Sequence, residues 1–112
     1  MMKWPAIIKY HGSDELSYVA TEIAWNGHAG LSAQAYNEYD VLIDNQGRVY
    51  QLNDRRDKRV VPEDTDSHIS LPQLIKLVQA HAALNGECCI EKIAFTNFGE
   101  GLAIVASLDT AL

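Results

Sequence analysis

The stretch from Asp40 to Leu52 constrains this chain most. It reads D-V-L-I-D-N-Q-G-R-V-Y-Q-L, two short apolar runs around a polar break that ends in Gly47. Val, Ile and Tyr suit a pleated, half-buried surface, while Asp44, Asn45 and Gly47 bend the chain. The pattern predicts a β-hairpin over residues 40–52 and places the chain among sheet-containing proteins. It carries no chemistry of its own.

The chain has 112 residues, the size of one domain (residues 1–112). At that length folding removes roughly two-thirds of the unfolded chain's surface from water, enough for a core without staples. Hydrophobic residues make up 47% of the chain, and with only 3 Pro and 7 Gly its composition is that of a folded protein. The formal net charge is −6. An acidic surface repels a phosphate backbone, which argues against general nucleic-acid binding. The two cysteines, Cys88 and Cys89, are adjacent. Neighbours on a strand point to opposite faces and are poorly placed to bridge each other, so both are read as reduced. That suits a cytoplasmic protein. No run approaches the roughly 18 apolar residues that a membrane helix needs, and Pro5 interrupts the short apolar opening, which is no signal-peptide core.

Further elements follow from local pattern. Trp4 to Tyr10 and Leu16 to Thr21 flank the turn cluster His11-Gly12-Ser13-Asp14 and read as a hairpin over residues 4–21. Glu22 to Glu38 has no clear element: Ile23 and Trp25 fit one helical turn, but Gly27 and Gly30 stop its propagation. Asn53 to Ser67 is dense in charge and reads as a solvated connection with a short strand at Val60-Val61. Ser70 with Gln73 makes a capping box, and Pro72 fits a first helical turn. Leu71, Leu74, Ile75, Val78 and Ala82 share a face, and Gly86 stops a helix of about residues 71–85. Cys88–Phe98 and Leu102–Leu108, joined by Gly99-Glu100-Gly101, read as a third hairpin over residues 88–108. The sum is α+β, a mainly antiparallel sheet with one helix on one face. The 22–38 segment is expected to cover part of the other face.

No nucleotide-binding, hydrolase or zinc-protease motif is present in the sequence. Cys88 and Cys89 lack the partner spacing of a zinc site. His11, His28, His68 and His81 are scattered, without a local catalytic signature. Asp40 and Asp44 share a strand face roughly 13 Å apart, too far for a glycosidase pair, and Asp44 reads as a turn former. No catalytic residue, metal ligand or cofactor is assigned.

Two surfaces stand out as candidate contacts. Trp25, His28, Tyr36 and Tyr39 put aromatics in or beside the irregular stretch, where they either anchor a partner or plug the open sheet face; plugging is the favoured reading. Arg55, Arg56, Lys58 and Arg59 hold four of the nine basic residues, interleaved with Asp54 and Asp57.

The opening Trp4-Pro5-Ala6-Ile7-Ile8-Lys9-Tyr10 and the Asp40-Val41-Leu42-Ile43-Asp44 run with Gly47 and Tyr50 resemble a small bacterial protein family of unknown function. The resemblance covers the whole chain. It implies a shared fold and a cytoplasmic bacterial setting, and it brings no activity.

With no catalytic constellation, the leading expectation is a small non-enzymatic domain that binds another protein or serves as an accessory module. One rival is a small-molecule binder or modest enzyme with a pocket between the 22–38 segment and the sheet. In that rival, His28, Cys88 and Cys89 are the first residues to examine. The other is nucleic-acid binding through the 55–59 loop, disfavoured by the net charge.

Overall fold

The hairpin expected over residues 40–52 forms, and it lies at the centre of the sheet. The computed structural model describes residues 2–29, 39–56, 59–87 and 90–110. In chain order the elements are β1 (Ala6–Lys9), β2 (Leu16–Val19), a helical turn α1 (Glu22–Ala24) running into a π-helical turn (Trp25–Ala29), β3 (Val41–Asp44), β4 (Arg48–Arg56) and β5 (Arg59–His68). Then follow α2 (Leu71–Leu84), a 3-10 turn (Ile90–Lys92) and α3 (Phe98–Thr110). The five strands form one antiparallel sheet in the order β2-β1-β3-β4-β5, with the two main helices packed against it. The fold is therefore α+β.

Strand alternation sorts the core into two layers. Ile7 pairs with Ile43 and Tyr18, and all three point toward the helices. There they meet Leu74 and Val78 of α2 and Leu102 and Val105 of α3. Ala6, Ile8, Leu42 and Tyr50 carry the opposite parity and face away from the helices. Trp25 closes over that second face, 2% exposed, with Val19, Leu52 and Val60 around it. The tryptophan of the irregular stretch thus plugs the sheet.

Helix α2 matches its sequence signals. The Ser70 backbone N–H donates to the Gln73 side chain at 2.7 Å, and the Gln73 N–H donates to Ser70 Oγ at 3.2 Å. At the other end Glu87 N donates to the Ala82 carbonyl and Gly86 N to that of Ala83, with Gly86 at φ +81°. This is the Schellman closure that a left-handed glycine permits.

The third hairpin, expected over residues 88–108, does not form, and the expectation of a single helix falls with it. Phe98–Thr110 is α-helix. Leu102 to Ala106 is apolar on both parities, a pattern that a buried strand and a buried helix share. The start signal settles it: Asn97 Oδ1 accepts the Glu100 N–H at 2.9 Å as an N-cap. Glu100 reaches back to the Thr96 N–H and hydroxyl, and these donors hold its carboxyl below the usual glutamate range. Gly99 and Gly101 lie within the helix, not in a turn. Gly101 lets α3 approach, since a Cβ there would sit 2.6 Å from the Phe95 ring and 2.9 Å from Leu74. Cys88 and Cys89 lie outside the described residues.

The Asn53–Ser67 region is also corrected. Much of it is strand, for β4 and β5 pair from Arg48↔His68 to Arg56↔Arg59. Two register shifts, between Val49 and Tyr50 and between Gln51 and Asp54, break its alternation and hide it from a period-two reading. One of them accommodates Asp66 at φ 62°. Strand β5 is an edge, and its bulges, Pro62 and acidic residues blunt that edge against pairing with other chains.

Gly47 turns the central hairpin at φ +81°. A Cβ there would lie 2.8 Å from the Phe98 ring and 2.9 Å from the Ile69 carbonyl oxygen, whose own N–H bonds Gly47 O. Gly47→Ala is expected to lose about 2 kcal/mol or more, from left-handed strain plus overpacking. Urea unfolding measures this; a loss below about 0.5 kcal/mol, the range of a neutral surface change, contradicts it.

Candidate functional site

Residues on the sheet face opposite the helices build a cleft, and the turn at Asp44 fixes one wall of it. Asp44 is 1% exposed. Its Oδ1 accepts the backbone N–H groups of Gln46 at 2.9 Å and Arg48 at 3.0 Å. Its Oδ2 accepts the Lys3 N–H at 3.1 Å and the Tyr50 hydroxyl at 3.3 Å. Asn45 N returns a bond to the Lys3 carbonyl at 2.9 Å. The carboxylate therefore ties the N-terminal strap to the hairpin and sets Met2 and Trp4 beside the sheet. A buried charge is tolerated when donors surround it.

The opposite wall is α1. Thr21 caps it, accepting the Ala24 N–H at 3.1 Å through its hydroxyl and the Trp25 N–H at 3.0 Å through its carbonyl. That aims Trp25 at the sheet, where its indole Nε1–H donates to the Val60 carbonyl at 3.0 Å. Between the walls lies a cleft of about 410 Å³. Met2 and Trp4 line one side, Glu22, Trp25 and Asn26 another, and Tyr50 and Val60 through Pro62 with Asp64 complete it. The volume falls in the range that holds small ligands, roughly 300–1,000 Å³.

Two electrostatic features mark the cleft. Asp64 Oδ2 accepts from Arg48 at 2.7 Å, and Arg48 also reaches Asp66 at 3.1 Å. The Arg48 bond, and then the Asp66 N–H, hold the Asp64 carboxyl below the usual aspartate range. Such exposed pairs add little stability. Tyr50 is nearly buried, and burial first, then the Asp44 charge, raise its hydroxyl above the ordinary tyrosine value.

The sequence-nominated residues are dispersed. Trp25 lines the cleft from its buried position. Tyr39 is 62% exposed and rests its ring 5.0 Å from that of His11. Tyr36 and Lys58, and the side chains of His28, Arg55, Arg56 and Arg59, lie outside the described residues. The backbones of Arg55, Arg56 and Arg59 stand at the far ends of β4 and β5. Asp40 is buried and accepts the His11 backbone N–H at 2.7 Å, so both bracketing aspartates hold backbone donors. His81 is buried as well, its Nδ1 accepting the Leu16 N–H at 3.0 Å. Among the described residues no group of three His, Cys, Asp or Glu side chains is placed to hold a metal ion.

The reading of residues alone missed Trp4, Glu22, Tyr50 and Asp64 as neighbours. The β4–β5 ribbon that carries Asp64 was hidden by its bulges.

Asp44→Asn is expected to cost about 2–3 kcal/mol, since the amide retains one acceptor but presents its NH2 to donors that had bonded a charge. Equal urea midpoints for the two proteins contradict this role. Tyr50→Phe is expected to cost about 1 kcal/mol at neutral pH. The folded state holds the Tyr50 proton more tightly than the unfolded chain does. Its contribution is therefore intact below about pH 10 and lost as pH climbs through the raised folded value. The gap in stability between wild type and Tyr50→Phe should narrow above that pH; a gap that widens contradicts the shift.

Comparison with known proteins bears on fold and family. A solved structure titled "NMR structure of the protein from Shewanella Amazonensis" superposes with a TM-score of 0.67 at 23% identity, covering 96% of this chain and 90% of that one. At that identity the likeness is one of fold. The curated proteins contain no match to the chain. The model of the DUF4144 family, described as "protein structure with unknown function", matches residues 4–105. With the match running from Trp4 into α3, the chain belongs to the DUF4144 family.

Proposed function

We propose that this domain is a small-molecule-binding module and that the cleft between the N-terminal strap, α1 and the β4–β5 ribbon is its site. The observation that carries the reading is the cleft itself: about 410 Å³, with Trp4, Trp25 and Tyr50 in its lining. Ligand sites in general combine an apolar, aromatic lining with a few polar groups, and Glu22, Asn26 and Asp64 supply those here. No nucleophile–base pair lines the cleft among the described residues, so binding accounts for its chemistry better than catalysis does. The setting we propose is the bacterial cytoplasm, supported by the bacterial source of the similar structure. No helix among the described residues is long and apolar enough to cross a membrane.

A protein-docking role draws on Tyr39, which is exposed beside His11. It no longer draws on Trp25, which is buried. The cleft reading rests on more of the molecule.

A thermal-shift scan across metabolites tests it, run in parallel on Asn26→Trp, an exposed rim position where an indole obstructs the cleft. A ligand at about 100 times its dissociation constant adds about 2.7 kcal/mol, worth roughly 10 °C or more here. The reading predicts ligands that stabilise the wild type and lose that effect in Asn26→Trp. Ligands that stabilise both proteins equally contradict it.

A further inference from the structure

We propose that the cleft selects a small organic cation, an amine or quaternary ammonium carried on a flat apolar body. This inference rests on the cleft being a ligand site and names the class of ligand it takes. Three observations support it.

The first is the charge of the lining. Glu22 and Asp64 are the ionisable carboxylates among the described lining residues, and no Lys or Arg lines the cleft with them. Arg48, which is not part of the lining, pairs with Asp64 at 2.7 Å and with Asp66 at 3.1 Å. Glu22 is exposed at the mouth, in the first turn of α1. An entering anion therefore meets like charge, and an entering cation meets its complement.

The second is how the aromatic donors are used. The Trp25 indole N–H is given to the Val60 carbonyl, and the Tyr50 hydroxyl is given to Asp44. Both groups spend their polar hydrogens on protein acceptors, so neither offers a hydrogen-bond donor to a ligand in the cleft. Trp and Tyr rings present a negative face that attracts ammonium groups, most strongly where water is thinned out. Trp4 adds a third ring, only partly buried, on the facing wall.

The third is the charge behind the floor. Asp44 is 1% exposed and accepts the Tyr50 hydroxyl at 3.3 Å, so an acidic side chain stands at the polar end of that ring. A buried charge is screened far less than a surface one and adds to the potential in the cleft. Rings, rim carboxylates and a buried carboxylate all favour one sign of ligand.

The chain has two tryptophans, and both line the cleft, so their indole N–H resonances report on it directly. Three probes of similar body separate charge from shape: benzyltrimethylammonium, benzyl alcohol and phenylacetate. Each is titrated into the 15N-labelled full chain at low salt, and again into Glu22→Gln with Asp64→Asn. The proposal predicts saturable shifts of both indole signals with benzyltrimethylammonium. It predicts affinity about tenfold or more above that of benzyl alcohol, the size of a partly desolvated cation–π contact plus a carboxylate. In the double variant that advantage should shrink several-fold while benzyl alcohol binds as before. If benzyl alcohol or phenylacetate shifts the same signals with equal or higher affinity, the cation proposal is overturned and the cleft remains a ligand site. If no probe shifts either indole saturably at millimolar concentration, both readings fall.

Discussion

The buried carboxylate of Asp44 is the constraint on which the rest of this structure depends. It accepts two backbone donors from its own turn, one from the strap at Lys3 and one from the Tyr50 hydroxyl. Left without those donors, a buried charge would cost several kcal/mol. With them, it fixes the hairpin at the centre of the sheet and the path of the residues before β1. It serves as turn former, strap anchor and partner to a cleft aromatic at once, because β3 ends where the chain turns and where the strap passes.

The sheet converts that local anchoring into a two-sided molecule. On one face Ile7 and Ile43 meet the helices in an apolar core, and the buried His81 of α2 accepts the Leu16 N–H. Among the described residues the other face is covered by the strap and by the helical turn that leads into Trp25. A sheet covered by short segments has seams, and the cleft is such a seam. It opens where the β4–β5 ribbon extends past the strap and α1.

The sequence was legible where a local rule sufficed. The capping box at Ser70 and Gln73, the stop at Gly86 and the turn at Gly47 each name their element without tertiary information. The plug at Trp25 was also readable, because an aromatic on a loop over a sheet has an open face to fill. Two regions were not. Leu102 to Ala106 fits helix or strand equally by hydrophobicity, and the Asn97–Glu100 cap that decides it was masked by two glycines that normally signal a turn. The β4–β5 ribbon loses its alternation at two bulges, so its charges read as a loop. The cleft was illegible for the same reason: it needs the strap, α1 and that ribbon together, and only Asp44 and pairing register bring them into one place.

Amide hydrogen exchange tests the account most directly. If one carboxylate ties strap to hairpin, the N–H groups of Lys3, Gln46 and Arg48 are released together. They should exchange at similar, slow rates set by a shared opening, far slower than the N–H of Glu15, whose bond is to the Ser13 hydroxyl at an exposed turn. Lys3 exchanging orders of magnitude faster than Arg48 would show that the strap opens by itself. The cleft would then lack a fixed wall at Trp4, and the central claim would fail.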